Sequence, residues 1–310
     1  MKCLSLLLVV FLLGAPLDDL LAAGKYAEAV AQAQDPAALL AAAVKLKNTG
    51  GLIQEVLKLR GVLKDPTAAG EWLSALSDKR GGDARALTSA GYLFLRANKP
   101  GVAVIALERS VQIKPTGVAL AYLANAHRRN DDLVKATKAA TDAAGHRDAP
   151  QPFLRDIALN IGARWRGAND LRYIELLQKN RLGATAGMWL AADAGNAGMN
   201  AATMRKRAAE LFATSLGDSS PAIAWWSAAR VTNGAVRTRY LIEAVRRGES
   251  EMQESDHACP GAVLALAQEC ARAGRAVAAA ALARKRLRIG ACEAAWDVLE
   301  SLPPHLARER

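Results

Sequence analysis

The side chains that most often carry chemistry are few and scattered in this chain. Its four histidines, His127, His146, His257 and His305, stand in four separate segments, so no two form a local acid–base pair. The patterns His-Glu-x-x-His and Gly-x-Ser-x-Gly do not occur, nor does a Gly-rich nucleotide fingerprint. Gly81-Gly82-Asp83 reads as a turn ahead of a helix, because no strand precedes it to make a phosphate loop. No Cys-x-x-Cys or Cys/His cluster has metal spacing, so neither a metal nor a cofactor is expected. Cys259 and Cys292 fall at equivalent points of adjacent repeats and are the candidate disulfide. Cys259 and Cys270 would lie about 16 Å apart on one helix, too far for a bridge. Buried thiols are the alternative.

Trp165, Trp189, Trp225 and Trp226 fall in successive helical runs, with Asp156, Asp170 and Asp193 as the nearby carboxylates. Glycan cleavage needs two carboxylates flanking a cleft, and these three form no evident pair. Tryptophan at helical spacing usually belongs to a core. The chain is therefore read as non-catalytic.

The elements that position these residues repeat. Ala90-Gly91, Ala103, Leu107 and Ser110 recur as Leu123-Ala124, Ala136, Ala140 and Ala143, every one shifted by the same interval. One helical hairpin cannot bury its apolar face until a neighbour stacks on it, so a period of about 33 residues points to a helix-turn-helix solenoid. Hydrophobic residues make up 51% of the 310 but aromatics only 5%; Ala and Leu dominate, and they favour helix over strand. The expectation is an all-α fold.

Asp35-Pro36 and Asp65-Pro66 mark helix starts. Helices are expected over 37–47, 52–64 and 67–76, the last with Trp72, Leu73 and Leu76 on one face. Hairpins follow at 84–97 with 101–113, and at 118–129 with 131–144. A looser pair spans 151–166 and 169–179, and 184–195 with 201–216 and 221–232 with 236–247 continue the alternation. An acidic joint over 248–257 precedes the last hairpin, 260–272 with 275–287. A capping helix over 292–302 turns Trp296, Leu299 and Leu302 inward. The solenoid is thus read over 24–302, clearest at 84–148 and 260–290, with 303–310 as a tail.

Met1-Lys2 and the apolar run from Cys3 to Ala15 have the form of a secretory leader. The segment 1–23 is read so, with its cleavage site open and with an uncleaved first helix as the rival. The run is too short to span a bilayer as an ordinary helix, and the expected location is periplasmic or secreted. The 41 Lys and Arg against 30 Asp and Glu give a net charge of +11, which favours encounters with anionic partners. No base-stacking aromatics are interleaved with these charges, which argues against nucleic acid.

Leu123-Ala124-Asn125-Ala126-His127, Asn130-Asp131, Ala136, Ala140 and Ala143 resemble a tetratricopeptide repeat. Ala90-Gly91 with Ala103, Leu107 and Pro115 is similar, as is Leu266-Ala267 with Gly274, Ala279 and Ala283; Gly24-Lys25-Tyr26 with Glu28-Ala29 resembles the start of a second helix. The resemblance implies a right-handed α-solenoid whose concave groove, lined by the first helix of each pair, binds a protein or peptide. Asn125 falls where some members place a carboxylate-clamping Asn, but Ala121 stands where their Lys would be, and an ordinary consensus role for Asn125 stays open. On this reading the partner-contacting residues are Asn125, Arg128, Arg164, Trp189 and Trp226. The function expected is a scaffold for protein–protein interaction in assembly or secretion of a cell-envelope complex. The alternative is a basic solenoid binding an anionic polymer, such as cell-wall glycan or lipopolysaccharide.

Overall fold

The computed structural model describes residues 16–168, 170–195, 200–251, 259–289 and 292–307. Helices and turns account for all the regular structure among them, with no strand. The chain divides into two compact units, one ending at Asp170 and the other beginning at Leu171.

The first unit holds α1 (Leu17–Ala22), α2 (Tyr26–Gln32), α3 (Pro36–Val44), α4 (Gly50–Val56), α5 (Pro66–Lys79), α6 (Ala84–Arg96), α7 (Pro100–Ile113), α8 (Gly117–Arg129), α9 (Leu133–Ala144) and α10 (Gln151–Gly167). The second holds α11 (Arg172–Lys179), α12 (Gly183–Asp193), α13 (Ala201–Ser215), α14 (Ala222–Val231), α15 (Gly234–Glu251), α16 (Pro260–Arg272), α17 (Ala276–Ile289), α18 (Glu293–Glu300) and α19 (Pro304–Ala307).

One turn chemistry closes most of the hairpins. The backbone N–H of Lys25, Lys99, Asp132, Leu182 and Arg275 donates to the carbonyl five residues earlier, on Leu20, Phe94, His127, Leu177 and Cys270. The residue before each donor is left-handed, and Asn98 (φ 58°) and Asp131 (φ 65°) take that position in the two clearest repeats. These are Schellman-type ends, which satisfy the last carbonyls of the first helix and turn the chain back. Several other helix starts carry a side-chain cap, and Asp132 provides one directly after its turn. Asp35 accepts from the Ala37 and Ala38 amides at 2.9 and 3.3 Å, Asp65 from Ala68 at 2.8 Å, and Asp132 from Lys135 at 3.1 Å.

Within a hairpin the two helices meet through a small residue facing a large one. A methyl group on Gly91 would overlap the Leu107 side chain, so Leu107 fills the space that Ala124 and Ala140 share one repeat later. Phe212 sits on Gly187 in the same way, its ring atoms 3.0–3.2 Å from where a β-carbon would stand. Neighbouring hairpins are also stapled by arginines. Arg80 donates to the carbonyls of Val44 (3.1 Å) and Leu46 (2.5 Å), and Arg129 donates to Leu95 O (2.7 Å) and Asn98 Oδ1 (2.6 Å).

Several expectations need correction. The helix expected over 52–64 stops at Val56 and resumes only as a 3-10 turn, Gly61–Leu63. Leu59 and Gly61 are left-handed there, and a β-carbon on Gly61 would come within 2.6 Å of the Val30 carbonyl, so the chain is pressed against α2. Trp296 does not turn inward; it is 55% exposed. Ala295, Val298, Leu299 and Leu302 form the buried stripe, at i, i+3, i+4 and i+7, which leaves position 296 about 100° out of phase. Pro304–Ala307 in the tail form α19, held by the Arg284 guanidinium on the Leu306 carbonyl.

Of the leader segment, residues 1–15 lie outside the described residues, while Leu20 and Leu21 of α1 are buried and Asp18 pairs with Lys45 at 2.9 Å. Most of the acidic joint, 252–258, including His257, also lies outside them. No described helix is long and apolar enough to cross a membrane.

Candidate functional site

The first helices of three successive hairpins, α6, α8 and α10, each present one half-buried aromatic ring: Tyr92, Tyr122 and Phe153. The rings form a continuous row. Tyr92 and Tyr122 are 5.4 Å apart at 45°, and Tyr122 and Phe153 are 5.3 Å apart at 55°, both in the tilted range that favours ring contact. Burial, with the neighbouring Tyr92 hydroxyl second, pushes the Tyr122 phenol above its usual value, so it stays a neutral donor at physiological pH.

Tyr92 and Tyr122 line an open groove of about 930 Å³ in the first unit, with Lys47, Arg85 and Lys114 on its rim. Its two carboxylates are already engaged. Asp83 caps α6 by accepting from the Arg85 and Ala86 amides at 3.0 and 3.1 Å, and it takes the Thr49 hydroxyl at 2.8 Å. Asp148 accepts from the Gly117 amide at 3.0 Å. The groove therefore offers aromatic surface and cations.

One to three turns beyond the rings, toward the C-terminal ends of the same helices, lie Arg96, Arg128 and Arg164. The Arg96 guanidinium stands 6.0 Å from the Tyr92 ring centroid, within cation–π reach. Asn125 Oδ1 accepts from Arg128 Nη2 at 2.8 Å and Nε at 3.3 Å, and Arg164 pairs with Asp131. Burial, then the charges of Arg129 and Arg164, lowers the Arg128 pKa from its ordinary value; the arginines are thus close enough to repel. Arginines in a last turn also complement the helix dipole.

The expected contact residues Asn125, Arg128 and Arg164 thus belong to one surface of the first unit. Trp189 and Trp226 belong to the second unit and act there as packing residues. The Trp189 ring lies 5.8 Å from that of Tyr173, and Trp226 covers Gly261 at the start of α16, its Cζ2 3.0 Å from where a β-carbon would stand. Trp165 and Trp225 are only 8% exposed, and Trp165 Nε1 donates to Thr137 Oγ1 at 2.8 Å. The expected Cys259–Cys292 bridge is not formed. Cys259 is buried just ahead of α16, and Cys292 is the half-buried residue just ahead of α18. Among the described residues no three His, Cys, Asp or Glu side chains gather as metal ligands.

His127 is 4% exposed at the end of α8, with Nε2 3.6 Å from Glu108 Oε1. Burial lowers its pKa; Glu108 and Asp132 pull the other way and Lys135 adds to the lowering. The folded protein therefore favours neutral His127, and its contribution is complete above the unfolded value near 6.5 and is lost as pH falls through the lower folded value. His127→Gln should lose less Tm between neutral pH and pH ~5 than the parent chain. Equal losses in the two proteins would refute this.

Stacked helical hairpins with Schellman-type joints, and small residues recurring where their helices meet, define the chain as an all-α, tetratricopeptide-like helical repeat protein. No family model matches the sequence, and no curated protein does. Among solved structures, the chain is similar to the C-terminal part of a TPR repeat-containing protein from Cytophaga hutchinsonii, at 12% identity and a TM-score of 0.41 over 80% of this chain and 98% of that one. A tetratricopeptide repeat protein from Parabacteroides merdae is similar at 15% identity and a TM-score of 0.33, covering 83% and 99%. The APC/C hetero-tetramer Cut9-Hcn1 is similar at 16% identity and a TM-score of 0.30, covering 94% and 60%.

Proposed function

We propose that the protein is a non-catalytic scaffold whose first unit grips an extended, acidic segment of a partner protein that also carries apolar or aromatic side chains. The observation that carries this reading is the Tyr92–Tyr122–Phe153 row beside a cation-rimmed groove whose own carboxylates are engaged. Rings supply rigid contact area at small entropic cost, and arginines orient carboxylates. Such contacts are modest singly and add along an extended partner. The leader-like residues 1–23 support placing this work in the periplasm or outside the cell, in assembly or secretion of an envelope complex.

The test is a pull-down of the mature chain, tagged at Arg310, from its native envelope at low and high salt. A specific protein retained at high salt supports the scaffold. Recovery of only anionic glycan or lipid, released by salt as screening requires, replaces it with polymer binding. In the same assay an Arg128→Ala/Arg164→Ala variant should bind the recovered protein about tenfold more weakly at low salt, with a smaller deficit at high salt. Unchanged binding at low salt would remove these two residues from the contact surface.

A further inference from the structure

The second unit carries a feature that the groove of the first leaves unused. Two adjoining surface hollows, of about 270 and 330 Å³, share Thr238 and Arg275. Arg272 lines one and Arg239 the other, and all three arginines are exposed.

The carboxylates of these hollows are already engaged. Glu269 accepts from Arg237 Nε and from the Thr238 hydroxyl, both at 2.7 Å. Glu243 accepts from Arg246 Nη2 at 2.8 Å and Arg247 Nε at 3.3 Å. Among the described residues Arg239, Arg272 and Arg275 make no ion pair, whereas Lys179, Arg207 and Lys285 of the same unit are matched by Glu175, Glu210 and Glu249. Arg272, in the last turn of α16, complements the helix dipole, a role that needs one cation rather than three. Three guanidiniums lining two joined hollows make that surface locally positive, which a bound anion would neutralise. Their planar forks of N–H donors match the oxygens of a phosphate.

We infer that Arg239, Arg272 and Arg275 form an oxyanion site that takes phosphate groups. Val236 and Ile242, 51% and 49% exposed, flank Arg239 on either side along α15. That strip suits a phosphate carried on an apolar body, as in a lipid headgroup. A free phosphate compound offers the same oxygens.

The experiment uses the whole chain and two probes. One is co-sedimentation with phosphatidylcholine vesicles containing about one third phosphatidylglycerol; the other is calorimetric titration with inorganic pyrophosphate. An Arg239→Gln/Arg272→Gln/Arg275→Gln variant should bind at least about tenfold more weakly to whichever probe the parent binds, with its melting temperature lowered by no more than about 3 °C, the share of the helix dipole that Arg272 supplies. An Arg205→Gln/Lys206→Gln/Arg207→Gln variant, which removes as many charges from α13, should keep most of the binding. Binding to vesicles alone assigns a lipid headgroup, and binding to pyrophosphate assigns free phosphate. Binding to neither probe, or equal loss in both variants, overturns the site.

Discussion

Phe212→Ala should cost about 3–5 kcal/mol of stability, the range for emptying a buried aromatic site, and lower the melting temperature by on the order of 10 °C. Phe212 is fully buried, and Leu211 and Ala208 of its own helix and Ala186 and Leu190 of α12 are buried as well. Its ring is the large partner of Gly187 in the α12–α13 hairpin, so truncation opens a cavity against Gly187, which has no side chain to fill it. Gly187→Ala alone should cost about 1–3 kcal/mol by crowding the ring. In the double variant the new methyl enters the vacated space, and the combined loss should fall short of the sum of the single losses. Urea unfolding of the four proteins, followed by far-ultraviolet circular dichroism, measures the cycle. Strict additivity would mean that the two residues do not share that space.

Tyr122→Ala should weaken binding of the partner recovered from the envelope by about thirtyfold, the scale of a central anchor residue. Tyr122 is the middle ring of the row and touches both Tyr92 and Phe153, so its removal splits one aromatic surface into two. Stability should fall by roughly 1–3 kcal/mol from the two ring contacts. Tyr122→Phe keeps both contacts and loses only the hydroxyl, and it should retain stability and most of the affinity. Affinities of the three proteins from titration of the purified partner decide the matter. Equal affinity for Tyr122→Ala and the parent chain would place the binding surface elsewhere.

The helical hairpins and their joints were legible in the sequence because they rest on local chemistry. Asp35-Pro36 and Asp65-Pro66 cap α3 and α5 by side-chain acceptance from amides of the first turn. The sequence placed Asp131 inside its second helix, expected over 131–144; it instead takes the left-handed turn before that helix, as Asn98 does one repeat earlier, and the helix begins at Leu133. The recurrence of Ala90-Gly91 and Leu107 as Leu123-Ala124 and Ala140 was visible, but that Leu107 packs on Gly91 came from the structure. Asn125, Arg128 and Arg164 were reachable for the same reason: placement on a first helix follows from the repeat.

The aromatic row was not legible, and the reason is a difference of register. The sequence repeat aligns Tyr92 with Asn125 and Tyr122 with Arg155, whereas the rings that touch them belong to Tyr122 and Phe153, each slightly earlier in its helix. Adjacent first helices are therefore staggered by roughly two to three residues, somewhat less than one helical turn, and that stagger comes from packing between hairpins. Burial decided the remaining cases. Trp296 lies outside the stripe that α18 buries, Trp226 is taken up in covering Gly261, and Cys259 and Cys292 do not join. Helices and their pairing follow from contacts between near neighbours or within one repeat, and those are written in the residue order. Which side chains of neighbouring repeats meet, and which cations are left without a counter-charge, depend instead on how one hairpin is offset against the next, a quantity set by packing across the fold.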